Sequence, residues 1–120
     1  DFIRFINDLE AQSGMQMVSF GHAGDGNVHL CVVRGERDEE TWQRELHENM
    51  DRAYAEAYRL GGVASGEHGI GLSKRPYFLR QTAKENLQAM NAIKTALDPQ
   101  HILNNRKSYL TGGNNNAGTF

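Results

Sequence analysis

The sequence contains one cysteine, Cys31, and it lacks both a long apolar run and an excess of charge of either sign. A single cysteine cannot form an internal disulfide, so nothing indicates an oxidising compartment, and the cytoplasm is the expected location. No apolar run approaches the roughly 20 residues that span a bilayer, which argues against a transmembrane segment. With 13 basic and 15 acidic residues scattered along the chain, we expect no nucleic-acid partner.

The length and the first residues indicate how much of a protein this sequence holds. At 120 residues the chain can build one modest core, and we assign residues 1–110 to a single domain. Residues 111–120, rich in Gly and Asn, are predicted to be a flexible tail. The chain starts with Asp1 rather than Met, and apolar residues recur at once at helical spacing. We therefore expect a fragment of a longer protein that begins inside an amphipathic helix.

The segments that follow this first helix, residues 1–12, predict a β-hairpin. Residues 15–20 read as a strand, and residues 27–34 read as a second strand because apolar side chains alternate along it. The glycine-rich residues 23–26 supply the turn between them.

The register of this hairpin decides where its histidines point. If His22 lies opposite Asn27, then Phe20 lies opposite His29, and all four side chains share one face of the sheet. Both histidines then point the same way, and the opposite face packs into the core.

Two further helices are predicted downstream. Asp38 is the expected N-cap of a long helix that ends at Gly61-Gly62, and residues 63–65 read as a short strand. Thr82 to Glu85 matches a capping box, opening a helix that ends at Asp98-Pro99 with Leu87, Met90, Ile93 and Leu97 facing inward.

These elements predict an α+β fold, with antiparallel strands and helices packed on one face. The residues expected to form one continuous core are Met17, Val28, Leu30, Val32, Trp42, Leu46, Leu60, Leu87 and Ile93.

Two glycine-rich elements hold three of the five histidines, Gly21–His29 (GHAGDGNVH) and Gly66–Gly71 (GEHGIG). Glycine carries no side chain, so the functional groups between the glycines can crowd around a ligand. This composition predicts a site.

The donors in these elements favour a metal. His22 and His29 on the hairpin, with Glu67 from the second loop, form a set of two nitrogens and one oxygen. Such a set binds Zn, Mn or Fe as a divalent ion and leaves positions open for a substrate. His68 is left free as a general base.

Plainer interpretations remain open for most of these residues. Glycine-rich runs are often only tight turns, and we assign Asp25 and Asn27 to the loop as turn-forming residues. His47 and His101 are expected at the surface. Cys31 is expected to fill space as a small side chain.

Three segments together resemble one known family. Residues 21–29, residues 66–72, and the run from Leu97-Asp98-Pro99 through Ile102-Leu103-Asn104 are similar to the C-terminal domain of FAD-linked oxidases. That family includes the glycolate oxidase catalytic subunit, D-lactate dehydrogenases and D-2-hydroxyglutarate dehydrogenase. The resemblance covers roughly residues 1–110, and it implies part of a substrate domain.

The resemblance also implies roles for single residues. By it, His22, His29 and Glu67 bind a divalent metal, and His68 removes the hydroxyl proton of a D-2-hydroxy acid that becomes a 2-oxo acid. FAD is held mainly by an N-terminal FAD-binding domain of the parent protein, and Asn104 is the expected cofactor contact in this chain. The isolated chain is expected to be inactive.

The sequence departs from the family pattern at two places. Some members carry an asparagine, thought to contact substrate, where this chain has Cys31. The usual ending Asn-Pro-Gly-Lys is replaced by Asn104-Asn105-Arg106-Lys107, and we expect this difference to alter the last turn near the flavin.

Two other function classes stay open at this point. A metal-dependent hydrolase would use the same donors to activate water, with His68 as the base. A non-catalytic binding or assembly module would instead form a homo-oligomer through its exposed flavin-facing surface.

Overall fold

The computed structural model describes residues 1–104 and Lys107. The chain divides into two compact units, Asp1–His68 and a second unit that starts at Gly69. The elements in chain order are α1 (Phe2–Ser13), β1 (Met17–His22), a 3₁₀ turn (Ala23–Asp25), β2 (Asn27–Val32), α2 (Glu39–Arg59), α3 (Arg75–Gln81) and α4 (Lys84–Leu97). Helices with an antiparallel sheet confirm the predicted α+β class. No helix among the described residues is long and apolar enough to cross a membrane.

The first helix forms within one residue of its predicted bounds. Ile6 and Leu9 are its buried residues. Gly14 follows the helix with φ 66° and donates its amide to the carbonyl oxygen of Glu10. This left-handed conformation strains residues that carry a Cβ, which explains why the helix ends at a glycine.

The two strands pair in the predicted register. His22 lies opposite Asn27, and Phe20 lies opposite His29. Because cross-strand partners and alternate residues of a strand share a face, these four side chains lie on one face of the hairpin.

The strand boundaries differ slightly from the prediction. β1 begins at Met17, two residues later than predicted, and the Met15 amide donates to the Ser13 hydroxyl rather than to a neighbouring strand. β2 ends at Val32 rather than at Arg34.

The core of the first unit is built from one face of the sheet together with α1 and α2. Its buried members are Ile6, Leu9, Met15, Met17 and Ala53, and the partly buried side chains packed on them are Phe2, Phe5, Leu30, Val32, Trp42 and Leu46. Of the nine residues predicted to form one continuous core, five belong to this core, namely Met17, Leu30, Val32, Trp42 and Leu46. The prediction was wrong for Leu60 and Ile93, which are 39% and 61% exposed, while Val28 and Leu87 are half-buried and are not among the members of this core. Leu60 lies beyond the last residue of α2, where the chain is already turning.

The long helix α2 begins as predicted. The carboxylate of Asp38 accepts hydrogen bonds from the amide and the hydroxyl of Thr41, both at 2.9 Å. These bonds hold the pKa of Asp38 below its usual value. An ionised carboxylate at this end also complements the helix dipole.

The region after α2 contains a correction and an unpredicted helix. Residues 63–65 are not a strand, since the sheet of the described residues contains β1 and β2 alone. The short helix α3 was not predicted. The hydroxyl of Thr82 donates to the carbonyl oxygen of Phe78 at 2.7 Å, at the end of α3. Thr82 therefore does not cap α4, which begins after Ala83 without a side-chain cap, and the predicted capping box was wrong.

The last described helix ends where the sequence predicts. Asp98 follows α4 and its buried carboxylate accepts the amides of Ile102 and Leu103, each at 3.1 Å, together with the ammonium group of Lys94. The ammonium group contributes most to holding the pKa of Asp98 below its usual value of 3.8.

The face of α4 that was expected to point inward is partly exposed. Leu97 is 80% exposed and Ile93 is also exposed, so the prediction was wrong for these two residues, whereas Leu87 and Met90 are half-buried. The predicted flexible tail, residues 111–120, lies outside the described residues.

Candidate metal centre

Both hairpin histidines lie at the turn end of the sheet on the face that the core leaves open. Gly21 permits this close pairing: its φ is 152°, and a Cβ there would lie 2.1 Å from the carbonyl oxygen of Asn27. The His22 side chain is 60% exposed and that of His29 is 21% exposed. The ring of Phe20 stacks on His29 with the ring centroids 5.1 Å apart.

Glu67 brings a carboxylate to these two imidazoles. Its Oε1 atom lies 2.8 Å from Nε2 of His29 and 3.8 Å from Nε2 of His22. One donor atom from each of the three residues lies within 4.8 Å of the others. A divalent ion at about 2.1 Å from each donor needs donor pairs roughly 3.0 to 3.5 Å apart, so small side-chain movements suffice. The three residues therefore fit a metal ion of the predicted kind.

The carboxylate of Glu67 has one further partner, Asn27. The side-chain amide of Asn27 donates to Oε1 at 2.9 Å. This hydrogen bond is the main reason that the pKa of Glu67 falls below its usual value of 4.5, and the contact with His29 lowers the pKa further. An ionised carboxylate is the form that binds metal.

Asn27 is a residue of the site that its sequence pattern did not predict. The sequence places Asn27 at the start of the second strand and interprets it as a turn-forming residue, without a role in the site. In the structure it is the first residue of β2, and its side chain bonds Glu67. An asparagine between a glycine and a strand is typical of turns, so its local pattern gave no signal of a partner 40 residues away.

His68 lies beside the three donors. Its Nε2 atom is 3.5 Å from Oε1 of Glu67, and its ring centroid is 4.8 Å from that of His29. The His68 side chain is 69% exposed, so its ring is accessible to a ligand. The structure thus brings His22, His29, Glu67 and His68 together.

The other residues singled out in the sequence lie elsewhere. Asn104 belongs to the second unit, where it is exposed with φ 48° and accepts the amide of Lys107 at 3.1 Å. Cys31 is exposed on β2 rather than filling space in the core. His47 is exposed on α2, with Nε2 3.7 Å from Asp51, and His101 is half-buried.

Comparison with known proteins defines the class. The family described as FAD linked oxidases, C-terminal domain, matches residues 1–108. The chain belongs to this family, and the resemblance that the glycine-rich elements indicated is confirmed.

Three individual relatives show which named proteins this chain is similar to. A D-lactate dehydrogenase of Anaerostipes hadrus is 36% identical over 104 residues, which cover 87% of this chain and 22% of that protein. Glycolate oxidase subunit GlcD of Bacillus subtilis is 38% identical over 113 residues, 91% of this chain and 23% of that protein. A mitochondrial D-lactate dehydrogenase of Saccharomyces cerevisiae is 36% identical, over 94% of this chain and 19% of that protein. The chain therefore spans about a fifth of the length of these relatives.

Proposed function

We propose that this chain carries the metal-binding and proton-transfer residues of an FAD-dependent oxidoreductase that converts a D-2-hydroxy acid into a 2-oxo acid. The observation that supports this most is the convergence of His22, His29 and Glu67 within 4.8 Å, with His68 beside them. Two of the relatives are named for lactate and glycolate, and both of these compounds are 2-hydroxy acids.

In this proposal three residues hold the metal. His22 and His29 supply imidazole nitrogens and Glu67 supplies a carboxylate oxygen, a donor set that suits Zn, Mn or Fe. A bound ion would act as a Lewis acid that orients the substrate and makes its hydroxyl more acidic. The His22 and Glu67 side chains are 60% and 42% exposed, so these donors would leave part of a bound ion accessible to a substrate.

His68 has the separate role of accepting the hydroxyl proton. Its imidazole is close enough to the donors to reach a substrate that lies against them, and imidazole can accept a proton near neutral pH. Its contact with Glu67 at 3.5 Å keeps the ring on the same side of the hairpin as the donors.

FAD is proposed to be bound by another part of the parent protein, where it would serve as the electron acceptor. Helix N-termini are the usual sites for a pyrophosphate group. Among the described residues, however, the long helix α2 begins with Asp38, Glu39 and Glu40, and the first turn of α4 contains Glu85. These carboxylates would repel a pyrophosphate, so the N-termini of α2 and α4 do not fit that part of FAD. Asn104 is proposed as the cofactor contact of this chain, on the family resemblance alone.

The experiment that tests these roles uses two histidine variants of the full-length parent protein. We expect His22→Ala to lose both metal and turnover, whereas His68→Ala keeps its metal and loses turnover, because ligand and base are separate roles. Metal analysis and dye-coupled turnover of D-lactate, glycolate and D-2-hydroxyglutarate provide the two measurements. His47→Ala, an exposed histidine of α2, is the matched control and should change neither.

Two outcomes would contradict the assignment. Full metal content in His22→Ala would remove His22 from the ligand set. Undiminished turnover in His68→Ala would exclude His68 as the base.

The expected cytoplasmic location and the homo-oligomer are part of the same proposal and rest on composition and exposed surface.

A further inference from the structure

The Glu67 carboxylate lies in a segment without regular secondary structure, between α2 and α3. Its side chain is 42% exposed. A glutamate in such a position has many available rotamers, and fixing one of them for a ligand costs conformational entropy. Something must therefore hold this carboxylate if the site is to bind metal well.

Asn27 is placed to do this. It belongs to β2, whose backbone is fixed by pairing with β1, and its Nδ2 donates to Glu67 Oε1 at 2.9 Å. Its amide group is not placed as a metal ligand, because the NH2 group that faces the carboxylate is a hydrogen-bond donor whose nitrogen lone pair is delocalised into the carbonyl group. The bond ties a loop residue to a rigid hairpin.

Gly66 explains how the two side chains come together. A Cβ on Gly66 would lie 2.6 Å from Oδ1 and 3.1 Å from Cγ of Asn27. The oxygen end of the Asn27 amide thus lies against the backbone of Gly66, while its nitrogen end faces Glu67. Any side chain at position 66 would push the amide out of this place.

We infer that Asn27 is a positioning residue that holds Glu67 ready for the metal, and that Gly66 is required because it leaves space for the Asn27 amide. This inference rests on the metal centre of the proposed function. Supporting residues of this kind commonly change metal affinity about 10- to 100-fold when they are replaced.

The first test compares metal affinity among single variants of the 120-residue chain. Asn27→Ala and Gly66→Ala should each weaken the binding of Zn²⁺, measured by competition with a chromophoric chelator, about 10- to 100-fold. Gly24→Ala is the matched glycine control, because a Cβ at Gly24 meets no atom within 4 Å. Asn7→Ala, on an exposed position of α1, is the asparagine control. Circular dichroism establishes that each variant keeps its helices.

The second test combines the two substitutions. Once Asn27 is alanine, a Cβ at position 66 has no amide to displace, so Gly66→Ala should weaken binding in the unaltered chain but cause no further loss in Asn27→Ala. Independent, additive losses would overturn the inference, because they would show that Gly66 acts by another route.

A metal-free measurement separates this inference from the proposed function. In ¹⁵N relaxation experiments the Asn27 side-chain amide should be ordered in the unaltered chain and mobile in Gly66→Ala. Failure of the unaltered chain to bind Zn²⁺ would overturn the metal centre, and the inference with it. Tight binding that both variants retain would overturn the inference alone and leave the metal centre in place.

Discussion

Glu67 lies at the centre of the candidate site. A single atom, Oε1, lies within 3.8 Å of the Nε2 atoms of His22, His29 and His68, and it also accepts the amide of Asn27. The site therefore depends on where this one carboxylate is held.

Replacing Glu67 by glutamine tests its role directly. Glu67→Gln keeps the size of the side chain but removes the charge, so we expect a loss of Zn²⁺ affinity larger than the roughly 10- to 100-fold loss typical of a supporting residue. Isothermal titration calorimetry measures it. Glu36→Gln removes an exposed carboxylate from the loop before α2 and is the control. Equal affinities in the two variants would exclude Glu67 as a ligand.

Gly21 makes a second prediction for a single residue. Gly21→Ala forces a Cβ against the carbonyl oxygen of Asn27, an atom of the backbone that cannot move aside without opening the hairpin. We expect a loss of about 1 to 3 kcal/mol in the free energy of unfolding by urea. Gly24→Ala should be near neutral, and similar losses in both would show that the close approach at Gly21 is unimportant.

At the scale of the secondary-structure elements, the burial of the core residues predicts that α1 contributes strongly to the stability of the first unit. Leu9 is 1% exposed, whereas Leu30 of β2 is only partly buried. Leu9→Ala should therefore cost about 2 to 5 kcal/mol of unfolding free energy, and Leu30→Ala less. Urea titrations of the two variants give the comparison. A larger loss in Leu30→Ala would show that the sheet, rather than α1, contributes most of the core.

The end of α4 makes a prediction about pH. The pKa of Asp98 is below 3.8 in the folded chain, mainly because of Lys94, so its carboxylate stabilises the fold above its ordinary pKa. That contribution is lost as the pH falls through the lowered pKa. Asp98→Asn should destabilise the second unit at neutral pH and reduce the dependence of its stability on pH below 3.8.

Hydrogen exchange measures this effect locally. The amides of Ile102 and Leu103 donate to the Asp98 carboxylate, and in Asp98→Asn they should exchange about tenfold faster or more at neutral pH. Amides of α1 serve as the internal control, since they belong to the other unit. Unchanged exchange at Ile102 and Leu103 would contradict the prediction.

How far the sequence predicts each element depends on how local its determinants are. The alternation along the strands and the position of the glycine-rich turn are local signals, whereas the register that places His22 and His29 on one face is an assumption that the structure confirms. The end of α1 at Gly14 and the N-cap at Asp38 are also local signals.

The determinants that were missed are non-local or ambiguous. Thr82 followed by Glu85 matches a capping box, but the hydroxyl bonds backward to Phe78, and a sequence pattern cannot show this direction. Asn27 has its partner 40 residues away. The seven residues of α3 are too few to establish a helical period.

At the scale of the whole molecule, the metal ligands and the electron acceptor FAD are proposed to lie in different parts of the parent protein. All three proposed ligands belong to this chain, but it spans only about a fifth of its relatives. We expect the isolated 120-residue chain to bind a divalent metal, more weakly as the pH falls because the imidazoles must be neutral, yet neither to retain FAD nor to oxidise any 2-hydroxy acid. Metal analysis, flavin absorbance and dye-coupled turnover decide this. Turnover without an added flavoprotein would contradict the proposed division.

The exposure of Cys31 gives this chain a built-in attachment point for a spectroscopic probe. Cys31 is the only cysteine in the sequence, and it follows His29 by two positions on the same face of β2. Alternate residues of a strand are about 6.6 to 7 Å apart. One nitroxide attached to this thiol would therefore sit close to the three donors. Paramagnetic Mn²⁺ bound there would broaden its spectrum, whereas diamagnetic Zn²⁺ would not, so occupancy could be followed without any enzymatic assay.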